Sequence, residues 1–337
     1  MRKVSFAQSI REALDEEMRR DDKVFLIGED IGPSGGVFGV TKGLWDTYGG
    51  TRIYDTPISE EAVVGAAVGA SLVGARPVVE IMFGDFVALA MDMIVNQAAK
   101  THYMTGGRLS CPVVIRMVTG TAGATAAQHS QSLEAWFTHT PGVKVVAPAT
   151  PSDAKALMKT AIRDPDPVLF FEHKLLYNFK EEMEDEIGDV ALGKSRVARE
   201  GDDVTVVSYA KTLHDALDAA ALLEGEGVSV EVVDLRSLVP LDRDGLRSSL
   251  EKTGRLVVAH EAPRRSGFGA ELAAIASEEF WDLLHAPIVR VCGANTPVPY
   301  APELENFVLP GPDHIVRAIR SMLGTGGARE SGGDKHA

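Results

Sequence analysis

The chain has 337 residues, a hydrophobic fraction of 45% and a formal net charge of −14. That length supports one large core or two ordinary ones, and an acidic chain without a Lys/Arg run excludes a nucleic-acid binder that works through a basic stripe. No stretch approaches the length of a membrane span, Met1 to Ser5 lacks the apolar core of a signal peptide, and Cys111 and Cys292 lack metal-ligand spacing; a cytoplasmic protein with two buried thiols is expected.

Taken in order, residues 6–20 read as an amphipathic helix with Ser5 as its N-cap. The apolar run 24–27 ends at Gly28, as a buried parallel strand does. The run Ile53-Tyr54 precedes a helix that begins at Ser59. Residues 77–83 form the next strand, 85–100 a helix, 113–118 a strand, 151–162 a helix and 168–171 a strand. This alternation predicts an α/β sheet with helices on both faces. Residues 179–186 are acidic and aperiodic and read as an exposed linker, not a strand of the core. A second α/β series follows: strand 204–209, a helix near 214–224, strand 229–234, strand 255–260 and helix 269–279. The expected organisation is a first domain over 1–180, a linker over 181–202, a second domain over 203–323 and a disordered tail over 324–337.

The segment Asp55-Thr56-Pro57-Ile58-Ser59-Glu60-Glu61 carries the most chemistry. A turn built on Pro57 delivers two carboxylates onto the first turn of a helix of small apolar residues, with Gly65 and Gly69 suited to close packing. Carboxyl groups withdrawn from water hold their protons at higher pH, which suits proton exchange near neutrality. The plain alternative is an N-cap at Ser59 with acids that complement the helix dipole. The strand that follows ends in Glu80-Ile81-Met82-Phe83-Gly84-Asp85-Phe86, whose apolar side chains can wall a carboxylate in. His129 lies in a segment rich in Ala, Gly and Thr that reads as a loop, and such an imidazole is either a surface group or a proton carrier. The glycine-rich stretch 28–40 lacks the Gly-Lys-Ser/Thr ending of a P-loop and the spacing of a dinucleotide fingerprint.

These residues match a family. Asp55 to Glu60, the run from Gly69 to Pro77, Asn96-Gln97-Ala98-Ala99-Lys100, Gln128-His129-Ser130-Gln131-Ser132 and Pro141-Gly142-Val143-Lys144-Val145-Val146 resemble the β subunit of thiamine-diphosphate-dependent 2-oxo acid dehydrogenases. That family includes pyruvate, branched-chain 2-oxo acid and acetoin dehydrogenase E1 components. The resemblance runs from Arg2 to Met322 and implies two three-layer α/β/α domains: a pyrimidine-binding domain, then a transketolase C-terminal-like domain.

The resemblance gives Glu60 a role: it hydrogen-bonds N1′ of the cofactor's aminopyrimidine and promotes the imino tautomer that removes the C2 proton. Glu61 is then a helix-start acid. Met82 and Phe86 match positions that pack on the pyrimidine, with ordinary core packing as the alternative. His129 matches a catalytic histidine at the active-site mouth, serving proton transfer to an incoming lipoyl group or charge on the bound substrate. The stretch 28–40 matches a loop near the substrate channel, or is a plain connection. Val113, Ala161, Ile162, Asp164 and Asp166 match positions where some relatives bind potassium; Arg163-Asp164-Pro165-Asp166-Pro167 is equally a helix stop and turn. No Gly-Asp-Gly triplet with a downstream Asn is present. The resemblance therefore implies that Mg²⁺ and the diphosphate are held by a separate α subunit in an α₂β₂ heterotetramer. It further implies docking of the lipoyl and subunit-binding domains of E2. The alternatives are half of a split transketolase-like enzyme acting on sugar phosphates and a non-catalytic assembly subunit. Residues 36–44 lean toward acetoin or pyruvate relatives.

Overall fold

The apolar runs are buried on both faces and pair in parallel through crossovers, in a computed structural model that describes residues 1–184 and 187–324. In chain order the first series is β1 Arg2–Ser5, α1 Phe6–Arg20, β2 Val24–Gly28, α2 Leu44–Tyr48, β3 Ile53–Asp55, α3 Glu60–Leu72, β4 Arg76–Ile81, α4 Ala99–Met104, β5 Val114–Thr119, α5 Glu134–Thr138, β6 Lys144–Val146, α6 Pro151–Arg163, β7 Val168–His173 and β8 Lys180–Met183. The second is β9 Arg196–Arg199, β10 Val204–Ser208, α7 Ala210–Glu224, β11 Val230–Asp234, β12 Ser237–Val239, α8 Arg243–Thr253, β13 Leu256–Pro263, α9 Phe268–Glu279, β14 Val289–Gly293, α10 Pro302–Val308 and α11 Pro312–Leu323.

Two compact units result. The first comprises residues 1–119, 136–193 and 237–240; the second comprises 120–135, 194–236 and 241 onward. The first unit holds a sheet of order β12-β6-β7-β5-β4-β2-β3, parallel except for β12, which runs antiparallel to β6. The second holds a sheet of order β14-β13-β10-β11-β9, parallel except for β9. Each sheet thus grows by parallel crossovers and closes one edge with a short reversed strand. The tail expected over 324–337 lies, beyond Gly324, outside the described residues.

Local signals set the helices. Ser5 accepts from the Gln8 N–H at 3.2 Å and starts α1. Thr150 caps α6 ahead of Pro151 in the same way. These two helices pack together over Ile10, Ala13, Leu14, Leu157 and Met158, all buried. Acidic α1 and basic α6 also pair across this contact, with buried Lys155 on Glu12 at 3.2 Å and Glu16 at 2.6 Å.

Two expectations are corrected. Residues 85–100 are not one continuous helix but a 3₁₀ segment Gly84–Ala90, a π segment Met93–Ala98 and then α4. Buried Gly84, Val87 and Ala90 recur every third residue, the 3₁₀ period, and α-helical spacing would not bury all three on one line. The acidic stretch after Phe179 contains a strand: β8 pairs antiparallel with β1, and Met183 is buried. Lys180 and Glu182 are exposed, and Glu181 turns inward to accept from the Ser152 N–H and hydroxyl at 3.0 and 2.8 Å, so a half-buried edge pair carries an acidic composition.

Candidate active site at the strand ends

The chain passes from β2 outward to β3, then returns to β4 on the other side of β2. Loops at the carboxyl ends of β2 and β4 therefore part from each other, leaving the crevice in which open α/β sheets bind ligands. The glycine-rich loop leaves β2 at Gly28, the Pro57 turn leaves β3 at Asp55, and the Met82 to Phe86 segment leaves β4.

Ser59 is the N-cap of α3 by position, but its hydroxyl donates to Pro57 O at 3.1 Å and does not cap the helix. Its N–H is taken by Glu29 Oε1 at 3.2 Å. A carboxylate from the β2 loop thus stands at the start of α3, next to the two acids the helix itself supplies. Burial pushes the Glu29 carboxyl up, and the charges of Glu60 and Asp30 add to this against the pull of the Ser59 N–H.

Glu60 and Glu61 part company. Glu60 is 8% exposed, whereas Glu61 is exposed. Both border a groove of about 730 Å³ lined by Ile58, Ala62, Gly65, Ala66, Leu89 and Met93. Gly65 closes on Met93: a Cβ there would stand 3.2 Å from the Met93 sulfur. Gly69, expected to pack as closely, has open space beside it. Met82 and Phe86 are half-buried. Phe86 sits edge-on to Phe83 at 6.0 Å, Phe83 edge-on to Phe38 of the glycine-rich loop at 5.7 Å, and Phe38 stacks on Tyr177 at 5.2 Å. This aromatic row ties the β2 loop to the segment after β4.

Below the row lies a buried charge cluster that sequence reasoning missed. Arg116 on β5 is forked on Glu172 of β7 and also pairs with Glu80 of β4. Tyr177 donates to Glu172 at 2.8 Å. Burial alone would weaken the Arg116 charge, but the Glu172 and Glu80 carboxylates hold the guanidinium above its ordinary range. Burial pushes the Glu80 carboxyl up despite Arg116, and the Glu172 charge adds to the push. The three residues sit in strand segments that read as uniform core, and only a hydrophilic residue at a two-face-buried position signals them.

His129 belongs to the second unit, on the loop between β5 and α5. The loop is irregular, as expected, with Ala124 and Ala126 both in the left-handed region at φ 59°. Each such non-glycine residue is strained by about 1 kcal/mol and persists only where its surroundings hold it. Gly120 N–H donates to Gln131 O at 3.1 Å across the loop base, and Thr125 and Ser130 hydroxyls meet at 2.6 Å. Glu261, at the end of β13, accepts from Thr121 N–H at 2.8 Å. Glu305, on α10, accepts from Gly123 N–H at 3.2 Å and Ala124 N–H at 2.7 Å. A cavity of about 490 Å³ borders the loop, lined in part by Gln128, Ser130, Gln131, Glu261 and Thr296. At the loop's far end Glu134 is 3% exposed. Burial, with the nearby Glu261 charge, pushes its carboxyl up to about 7.

His260 has no place in this site. It is fully buried, stacks on Tyr209 at 6.0 Å and accepts from Gly269 N–H at 3.1 Å, and burial pushes its pKa down to about 4. Cys292 lies 3.4 Å from its Nε2, and Cys111 is buried 3.2 Å from the Ser71 hydroxyl; both thiols are free.

Of the five residues read as potassium ligands, Ala161, Ile162, Asp164 and Asp166 lie at and just after the end of α6, and Val113 stands immediately before β5. The carbonyls of Ile162 and Asp164 converge on Arg76 Nη1 at 2.8 and 3.2 Å. Ala161 O accepts from Asp164 N–H at 3.3 Å and Val113 O from Val168 N–H at 2.9 Å. Lys144 Nζ lies 2.7 Å from Asp164 and 3.0 Å from Asp166. Carbonyls at a helix C-terminus favour cations, and here protein cations already meet that preference: Arg76 on the Ile162 and Asp164 carbonyls and Lys144 on the Asp164 and Asp166 carboxylates. Among the described residues no group of three or more His, Cys, Asp or Glu side chains is arranged to hold a metal, and no helix is long and apolar enough to cross a membrane.

The family described as "Transketolase, pyrimidine binding domain" matches residues 2–180, and "Transketolase, C-terminal domain" matches 193–315. The chain is 45% identical over 325 residues to "Pyruvate dehydrogenase E1 component subunit beta, mitochondrial" of Dictyostelium discoideum, covering 95% of this chain and 91% of that one. It is 45% identical over 335 residues to "Acetoin:2,6-dichlorophenolindophenol oxidoreductase subunit beta" of Bacillus subtilis (strain 168), covering 96% and 98%. The chain belongs to the E1 β family. A solved relative, "Split gene transketolase, inactive beta4 tetramer", superposes with a TM-score of 0.79 at 26% identity, over 95% of this chain and 98% of that chain. Both transketolase-type modules of an E1 β chain are therefore present. Glu60, Met82 and Phe86 come from the unit that carries most of the pyrimidine-binding match, and His129 from the loop assigned to the other unit.

Proposed function

We propose that this chain is the β subunit of a heterotetrameric E1 that uses thiamine diphosphate to decarboxylate a 2-oxo acid or cleave acetoin, passing the acyl unit to the lipoyl group of an E2. The observation that carries this is Glu60: a carboxyl group 8% exposed, on the first turn of a helix, yet bordering an open groove. When bound, thiamine diphosphate supplies the nucleophilic carbon and electron sink for cleaving the bond beside a carbonyl. Glu60 holds and exchanges a proton with the pyrimidine N1′, a task for a positioned carboxyl group. Met82 and Phe86 give the pyrimidine an apolar seat, and Glu29 stands beside Glu60 on the strand-end loop. His129 exchanges a proton during transfer to the lipoyl group. Mg²⁺ and the diphosphate fall to the α subunit, since this chain has no Gly-Asp-Gly triplet. The solved β-type relative is inactive as a β tetramer, which agrees with a site that a second polypeptide must complete. Potassium, held by Val113, Ala161, Ile162, Asp164 and Asp166 partly through main-chain carbonyls, would steady the turn between α6 and β7. We place the assembly in the cytoplasm, with the lipoyl and subunit-binding domains of E2 as its partners.

The test is Glu60→Gln in the chain co-expressed with its α subunit. The variant assembles and loses nearly all turnover with pyruvate, branched-chain 2-oxo acids and acetoin alike; near-normal turnover would overturn the role of Glu60. The transketolase likeness keeps one rival in view, transfer between sugar phosphates. Reduction of a lipoyl domain by the αβ assembly, without ketol transfer, separates the two.

A further inference from the structure

We propose that Glu305 and Glu261 are positioning residues for the loop that carries His129, acting through main-chain N–H groups. The proposal rests on the reading of His129 given above.

The loop between β5 and α5 has composition suited to many conformations, with glycines at 120 and 123 and alanines at 122, 124, 126 and 127. It nevertheless adopts one in which Ala124 and Ala126 are left-handed. Its self-contacts close the base, Gly120 on Gln131, and clip the return limb, Thr125 on Ser130. They leave the outgoing limb to be fixed from outside. There, Thr121, Gly123 and Ala124 all aim their N–H groups at carboxylates from elsewhere in the same unit.

Glu305 is the stronger anchor. It is 4% exposed, although α10 also carries exposed Leu304 and Phe307, and its two oxygens each receive an N–H from adjacent residues. A carboxylate suits this because it is acceptor-only at both oxygens and its bonds are charge-assisted. A glutamine would turn an NH₂ toward one of the two N–H groups. Glu261 fixes the limb at its second residue, Thr121, and also lines the cavity that the loop borders. Together they set the left-handed pair from which the chain returns through Gln128 and His129.

The experiment uses the αβ assembly with Glu305→Ala, Glu305→Gln, Glu261→Gln, His129→Ala and the double variant Glu305→Ala/His129→Ala. Two readouts are taken: hydrogen exchange at the Gly123 and Ala124 amides, and substrate-dependent reduction of a lipoyl domain. The expected results are exchange at least tenfold faster at these amides in Glu305→Ala, and a tenfold or greater fall in kcat with KM for the 2-oxo acid or acetoin little changed. Glu305→Gln falls between wild type and Glu305→Ala, and Glu261→Gln speeds exchange at Thr121. In the double variant the Glu305 change adds no further loss to that of His129→Ala, since both act through one element. Unchanged exchange, or losses that multiply in the double variant, would overturn the proposal. A fully active His129→Ala assembly would instead remove the catalytic role of the loop, while the exchange data still decide whether the carboxylates hold it.

Discussion

Arg116 meets Glu172 as a fork, with Nε donating to Oε1 at 2.7 Å and Nη2 to Oε2 at 2.6 Å, at the centre of a sheet where neither side chain reaches water. Two carboxylates share this one guanidinium, and they are not equivalent. Glu172 has the bidentate contact and the Tyr177 hydroxyl, whereas Glu80 meets a single nitrogen and has its carboxyl pushed up by burial. Removing the guanidinium leaves two buried acids without a counter-charge. Arg116→Ala is expected to lose about 3–5 kcal/mol of stability. Glu80→Gln should lose clearly less than Glu172→Gln. Urea unfolding of the three variants checks the order, and equal losses for the two glutamines would show that the carboxylates share the charge evenly.

Glu134 gives the second unit a pH dependence of definite sign. Its carboxyl is pushed up from 4.5 to about 7, by burial first and by Glu261 second. Below about pH 4.5 the folded and unfolded chains both carry the proton, and its stabilising effect is complete. As pH rises through 7 the unfolded chain gains by ionising, so that contribution is lost, by about 3 kcal/mol in total. His260, held near 4, acts in the opposite direction, its contribution being lost as pH falls from 6.5 towards 4. Since it is present in both proteins, it cancels in a comparison. The unfolding free energy of Glu134→Gln, relative to wild type, should therefore rise by about 3 kcal/mol between pH 4.5 and 8; parallel curves would refute this.

Potassium binding at the end of α6 should appear as a cation preference in melting. Arg76 already sits on Ile162 and Asp164, so an ion would have to share those oxygens and the expected gain is modest. At saturating potassium a stabilisation of about 1–3 kcal/mol is expected relative to sodium at equal ionic strength. Calorimetry of the αβ assembly in the two chlorides measures it, and identical melts would leave the Ile162 and Asp164 carbonyls to Arg76 alone.

Gly142 precedes β6 at φ +104°, and a Cβ there would stand 1.9 Å from the Ala99 carbonyl oxygen. Neither the dihedral nor the contact admits a side chain. Gly142→Ala should destabilise the first unit by about 3 kcal/mol or more, visible as a fall in its melting temperature and in soluble yield.

Much of the fold was legible because local and tertiary signals agree. Helix α1 is legible with its cap and both ends, since Ser5 and an apolar stripe on residues 6–20 point the same way. Strands β2, β7 and β10 were found as apolar runs because parallel strands are buried on both faces. The 3₁₀ and π segments before α4 were not legible, because period-three burial by Gly84, Val87 and Ala90 resembles an ordinary apolar helix. In the site, Glu60 stood out through its motif. Glu29 is hidden inside a glycine-rich loop, and its place directly after a strand's last residue is the one signal it leaves. Glu305 left no local trace at all: its partner Ala124 is 181 positions away, and nothing in α10 announces a buried acid.

Strand β12 occupies three residues of the second series, yet it pairs with β6 in the first sheet, through Ser237 on Val146 and Val239 on Val145. The chain therefore cannot be divided by a single cut. A fragment ending at Gly193 would carry the Glu60 groove but would bare the backbone of β6 along its outer edge, a template for pairing with other copies. Dissecting this protein into separately expressed halves should give an aggregating amino-terminal piece unless residues 237–240 are grafted back onto it.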